Sequence, residues 1–354
     1  MAATTTTVHS AGPVSGSRSF LDRLRDGDEI ARLVTFVFAA AVVLITCLLV
    51  FELWIGSTAS RHKFGLSFFF TRVWDPNSGD FGALPFIYGT LVTAAVSLVI
   101  AVPLGIGAAI FLAELAPARV SDTLQFFIDL LAAVPSVIYG LLGVFIVIPM
   151  MREYIQPALN GALGFLPFFS GPAYGIGFLT AGIVLAIMVI PYIISVSREV
   201  LLSVPRDQRE AALALGSTRW ESTWKVVVPF ARTGIMGSIF LALARALGET
   251  MAVTMVIGNT PNISASLFSP GYSIAAVIAN EFTEATGDLY LQALVELGLV
   301  LFLLTFILNG LARILIVATE GTAGRLELIY SVRQSQFYCP SSYRTTLHQG
   351  RERS

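Results

Sequence analysis

Six long apolar runs decide what this chain can become. They are Leu33 to Ile55, Phe86 to Leu112, Leu124 to Pro149, Ile176 to Val196, Thr233 to Ile257 and Leu289 to Ala318. A helix needs roughly 20 mainly apolar residues to cross the hydrocarbon layer of a bilayer, and all six runs are long enough. No stretch alternates apolar and polar residues with period two, which excludes a membrane β-barrel. The expectation is an all-α integral membrane protein with six transmembrane helices. Composition agrees, with 55% apolar and 13% charged residues, the latter about half the share of a soluble domain. Pro103, Pro135 and Pro191 fall inside runs, where neighbouring helices can satisfy the carbonyls that a kink releases.

The first run follows a polar segment, residues 1–32, that carries Arg18, Arg23, Arg25 and Arg32. It is longer than the ~7–15-residue apolar core of a secretory signal, so it is read as a retained helix. Lysine and arginine then give the orientation. With the N-terminus inside, 17 of these cations fall in inner segments and 4 in outer ones, while Arg245 lies within a run. That asymmetry follows the positive-inside rule, so both termini are expected in the cytoplasm. The outer segments after runs one and three hold aromatic and turn residues, among them Trp74, Phe165, Phe168 and Phe169. They are expected to be partly structured and to sit near headgroup level.

Several chemistries drop out. Lys63 and Lys225 are the only lysines, and neither sits in a Gly-rich phosphate loop, so ATP hydrolysis would belong to another chain. His9, His62 and His348 are scattered, and no metal or cofactor site is expected. Cys47 and Cys339 imply no disulfide framework. Nothing points to nucleic acid; membrane lipid is the expected surrounding.

The inner loop between runs four and five is the most informative stretch. It reads Ser203-Val-Pro-Arg-Asp-Gln-Arg-Glu210-Ala211-Ala212-Leu-Ala-Leu-Gly216-Ser-Thr218-Arg-Trp-Glu221 and continues to Val226-Val-Val-Pro229. Pro205 and Asp207 suit a first helical turn and Gly216 the position past its end. Thr218 with Glu221 has the spacing of a capping box that opens a second helix. A helix this short is marginal alone in water. Its small Ala211, Ala212 and Ala214 let a partner surface approach, and Arg206, Arg209 and Glu210 supply a charged rim.

The fifth run contains Arg245 and Glu249 near its middle, followed by Thr250 and Thr254. An unpaired charge there costs ~2.5 kcal/mol or more. At i and i+4 the two can pair on one face. One reading is a self-neutralised pair that fixes helix packing. The other is a polar site on a transport path, because a guanidinium donates two parallel hydrogen bonds to an oxyanion. A neighbouring carboxylate could accept from the proton of hydrogen phosphate. Glu296 in run six and Asp129 near the start of run three are expected to face other helices or the interface.

Two resemblances sharpen this reading. Glu210-Ala211-Ala212, Gly216 after three more residues, and Val226-Val227-Val228-Pro229 after nine more resemble the EAA loop of ABC importer permeases. That loop seats a coupling helix in the ATPase, and here Val226 and Val228 stand where the family usually has Ile and Leu. Ala244-Arg245-Ala-Leu-Gly248-Glu249-Thr250-Met251-Ala252-Val253 resembles a span of phosphate importer permeases of the PstC type, with Ala244 in place of a common glycine. Phe81-Gly-Ala-Leu-Pro85-Phe-Ile-Tyr-Gly89-Thr90 and Ala133-Val-Pro135-Ser-Val-Ile-Tyr139-Gly140 resemble the same family.

The likeness covers roughly residues 33 to 320. It implies the type I ABC importer (MetI-like) permease fold in a bacterial inner membrane. It implies a permease core over 86–318, with a coupling loop at 197–232, after a first helix and outer loop over 33–85. It also implies a second, PstA-like permease, two ATP-binding subunits inside and a phosphate-binding protein outside. Residues 319–354 run past the usual end of such permeases and are expected to form a disordered tail. Sulfate or molybdate remains the alternative substrate, and an ion-coupled secondary transporter the alternative class.

Overall fold

The computed structural model describes residues 28–337, with side chains described over 31–314. Six helices are long and apolar enough to cross a membrane, and no strand is formed among the described residues. The first crossing helix, α1, is Asp28–Gly56. The described residues up to Ile55 belong to one compact unit, and those from Gly56 to a second. Cys339, residues 1–27 of the expected N-terminal tail and residues 338–354 of the expected C-terminal tail lie outside the described residues.

The second unit opens with the short α2, Thr58–Phe64. The next crossing is α3, Leu84–Leu115, followed by the separate helix α4, Ala118–Ala132. The third and fourth crossings are α5, Ser136–Leu163, and α6, Phe178–Leu202. A short helix α7, Arg206–Ala214, precedes the fifth crossing α8, Arg219–Leu247. Two further short helices, α9 (Met251–Ile257) and α10 (Ile274–Glu281), lead to α11, Asp288–Phe337. The backbone of α11 is helical into the segment expected as a disordered tail.

The centre of this unit is α6. Its Phe178, Leu185, Val189 and Ile193 are fully buried among side chains of α3, α5, α8 and α9. Helices in a membrane gain little from burying apolar surface that lipid would cover anyway, so close backbone approach and dispersion hold them together. The α3–α6 crossing shows this. A Cβ on Gly182 would lie 2.4 Å from Val96 Cγ1, and one on Gly105 would lie 2.7 Å from Ile193 Cγ2.

Runs three and five are divided differently from expectation. Run three is not one helix, because α4 ends at Ala132 and the crossing helix starts afresh at Ser136. Pro135 sits between them at ψ 140 with no N–H to donate, and it disfavours helical backbone in the residue before it. The crossing then continues past Pro149 through π-helical turns at Gly143–Val147 and Met151–Ile155. Run five begins earlier than expected, at Arg219, and its helix stops at Leu247 rather than at Ile257.

Trp74, in the expected partly structured outer segment, is half-buried. It packs edge-on against Phe81 and Phe86, at 4.8 and 4.9 Å between ring centres. Its Nε1 donates to Glu281 Oε2 at 2.9 Å, and the Tyr290 hydroxyl donates to the same oxygen at 2.6 Å. Nearby, Asn280 Nδ2 donates to the Tyr272 hydroxyl at 3.1 Å. Burial pushes the Tyr272 phenol up to about 12, so it stays neutral there. Phe165 and Phe168 are exposed.

Candidate functional site

The α7 loop folds as its residues dictate. Pro205 stands at the N-cap position, one residue before the expected first turn, and Asp207 follows inside that turn. Gly216 has φ +85, which a residue with Cβ adopts only with strain. Its N–H donates to the Leu213 carbonyl at 2.9 Å, and the Ser217 N–H reaches back to Ala212 at 3.2 Å. This pair of bonds is the Schellman ending. Thr218 and Glu221 then complete a capping box at the start of α8, with both reciprocal hydrogen bonds made.

Glu210, Ala211 and Pro229 lie exposed, and Ala212 is buried against the body of the unit. Leu215 is 90% exposed, and Leu213, Trp220 and Trp224 are also exposed. Apolar side chains displayed around a short helix and its turn mark a surface suited to a partner. Arg209 does not belong to the expected charged rim. It turns inward, with Nη2 at 2.8 Å and Nε at 3.1 Å from Glu114 Oε1. It also donates to the carbonyls of Val204 and Leu201 at 2.6 and 2.7 Å. The clamp ties α7 to the end of α3, and Glu114 carried no local signal of it in the sequence.

The expected Arg245–Glu249 pair is not formed. The chain leaves the helix at Gly248 and starts a new one at Met251, so the two side chains no longer share one helix face. Glu249 Oε1 instead accepts from the Ala252 N–H at 3.2 Å. A carboxylate at a helix start satisfies an orphan donor and meets the positive end of the helix dipole. Arg245 is exposed on the surface of the unit, with its guanidinium 5.8 Å from the centre of the Tyr192 ring. The Tyr139 hydroxyl donates to the Leu131 carbonyl at 2.7 Å.

Thr254 Oγ1 donates to the Thr250 carbonyl at 2.7 Å, which turns that hydroxyl onto its own backbone. Thr250 Oγ1 lies 3.4 Å from the Gly248 carbonyl, so it too faces the break. The four candidate residues of run five thus stay close in space while Glu249 changes partner. Tyr192, the aromatic face beneath Arg245, was not visible as a site residue because it comes from α6. A cation over an aromatic face is stabilised by the ring quadrupole and keeps its donors free for another acceptor.

With this geometry in place, comparisons with known proteins are informative. Residues 101–318 match the family of the "Binding-protein-dependent transport system inner membrane component". The "Phosphate transport system permease protein PstC" of Mesorhizobium japonicum is 47% identical over 292 residues, covering 80% of this chain and 89% of that one. Its counterpart from Pasteurella multocida is 49% identical over 298 residues, covering 83% and 93%. A solved bacterial alginate ABC transporter shares the fold at a TM-score of 0.53 and 15% identity, over 84% of this chain and 96% of that one. The chain belongs to the binding-protein-dependent transport system inner membrane components, in the group of the PstC permeases, as a multi-pass ABC importer subunit of type I fold that works with a binding protein and leaves ATP hydrolysis to a separate ATPase chain.

Proposed function

We propose that this chain carries inorganic phosphate through the membrane, driven by an ATPase that docks on α7. The observation that supports this most directly is Arg245. It is an exposed guanidinium within a crossing segment, held over Tyr192 and not neutralised by Glu249. A charge so placed is costly against lipid, so its surroundings in the assembled transporter have to be polar. Its planar fork suits a tetrahedral oxyanion. The Thr250 and Thr254 segment and Glu249 line the helix break beside it. Extensive likeness to relatives named as phosphate permeases supports phosphate over sulfate or molybdate.

On this reading both termini are cytoplasmic, and Glu210, Ala211, Ala212, Gly216 and Pro229 belong to the segment that seats the ATPase. A second, PstA-like permease completes the path, two ATP-binding subunits sit inside, and a phosphate-binding protein delivers substrate from outside. The test uses the complete transporter in proteoliposomes with ATP, its binding protein and labelled phosphate. Arg245→Met is expected to lower uptake more than tenfold at normal membrane abundance. Unchanged uptake in that variant removes Arg245 from the path. Transport of labelled sulfate at the phosphate rate removes the substrate assignment.

A further inference from the structure

Along α6, Tyr192, Ser195 and Arg198 are spaced three apart and therefore lie on one side of the helix. All three are half-buried rather than sealed in the core. The first lies against Arg245. The last binds Ser121 Oγ through Nε and Nη2 at 3.2 and 3.0 Å, and Asp122 Oδ1 at 3.4 Å. Between them stands a compact polar knot. Gln125 Nε2 donates to Asp129 Oδ1 at 2.7 Å and to Ser195 Oγ at 3.1 Å, and Ser195 Oγ donates to the same Asp129 oxygen at 3.0 Å. Gln125 Oε1 is buried without a hydrogen-bond partner among the described residues.

Ser195 is seven residues inside the end of α6, or ~10 Å along the axis. Ser195 is the next-to-last residue of run four, and Gln125 and Asp129 stand near the start of run three, so the knot lies at the end of the crossing nearest α7, one helical turn beyond Tyr192. Asp129 is exposed there, within reach of an ion arriving along this side of α6.

We propose that Gln125 and Ser195 form a second station for the transported anion and that Asp129 closes it when it is empty. This deepens the phosphate reading above and rests on it. The Gln125 amide and the Ser195 hydroxyl are two convergent donors, and both now end on a single carboxylate oxygen. The Asp129 carboxylate thus holds the bonds that an oxygen of the substrate would take. An arriving anion competes for them, and like-charge repulsion drives Asp129 out of the knot. The buried Gln125 Oε1 is an acceptor with no donor among the described residues. The hydroxyl of hydrogen phosphate supplies that donor, whereas sulfate carries no proton at neutral pH. An acceptor left unpaired in this way penalises the ion that cannot donate to it.

The experiment uses the complete transporter in proteoliposomes. Vesicles loaded with labelled phosphate and lacking ATP are expected to stay tight with the wild type and to leak at least about fivefold faster with Asp129→Ala. The paired variant Gln125→Leu with Ser195→Ala is expected to lower ATP-driven uptake at least about tenfold. Its membrane abundance and its ATPase stimulation by binding protein should remain those of the wild type. Tight Asp129→Ala vesicles, or wild-type uptake by the paired variant, overturn the second station. Arg245→Met is measured alongside. If it loses uptake while the knot variants behave as wild type, the station is wrong and the phosphate path stands. If it transports normally, the phosphate path itself is wrong.

Discussion

A guanidinium inside a membrane segment needs something to solvate it, and the neighbours of Arg245 define what that is. Glu249 is committed to the start of α9, and the Tyr192 ring offers only its face. If the two charges merely cancelled, removing both together would be close to harmless, as it often is for a buried ion pair. The broken helix argues the opposite. Arg245→Met with Glu249→Gln is expected to reach normal membrane abundance and still fail to carry phosphate, read as uptake at matched abundance. Wild-type uptake in the double variant would make Arg245 a packing element. Arg245→Lys should also be impaired, since an ammonium keeps the charge and loses the two-pronged geometry. Glu249→Ala removes a helix-start acceptor, which costs about 1 kcal/mol. Glu249→Gln keeps an acceptor oxygen there and should be milder, an order that thermal unfolding of the purified transporter checks.

At the scale of elements, α7 has a fixed end and an anchored stem, as the proposed coupling role requires. The end is Gly216, where no atom stands within 4 Å of an added Cβ. Strain in Gly216→Val therefore comes from the left-handed backbone alone, roughly 1–2 kcal/mol. The six crossings should insert normally while ATPase copurification and uptake fall; normal recovery of the complex would deny α7 its coupling role. Glu210→Lys should act in the same direction by reversing an exposed charge. The stem is Arg209, whose side chain is 20% exposed against 11% for Glu114. Arg209→Met strands that carboxylate and two carbonyls, at a cost on the order of 2 kcal/mol. A lower unfolding temperature together with weaker coupling of ATP hydrolysis to uptake is the expected result. A variant with both measures unchanged would reduce the clamp to an ordinary surface pair.

At the scale of the whole molecule, the distribution of cations implies a single orientation. With Cys47 and Cys339 replaced, Thr283→Cys between α10 and α11 should react with an impermeant thiol reagent from outside, and Gln208→Cys in α7 should not. The reverse pattern would overturn the orientation and the docking face with it. Thr283 and Gln208 are both exposed, so access and not burial decides the outcome. What the chain declares by itself are properties that add up locally. The six crossings follow from apolar length, the proposed orientation rests on arginine and lysine, and the α7 turn follows from Gly216, Thr218 and Glu221, whose caps bond within a few residues. Hydropathy averages over a window, and so it could not see Pro135 split run three or the helix stop at Leu247. Contacts between distant residues were equally silent. Arg209 finds Glu114 across 95 positions, Trp74 finds Glu281 across 207, and Ser195 finds Asp129 across 66. Arg245 had two partners open to it, one four residues away and one on another helix. Tertiary packing chose between them, because breaking the helix at Gly248 gave Glu249 a backbone donor to satisfy and left Arg245 beside Tyr192.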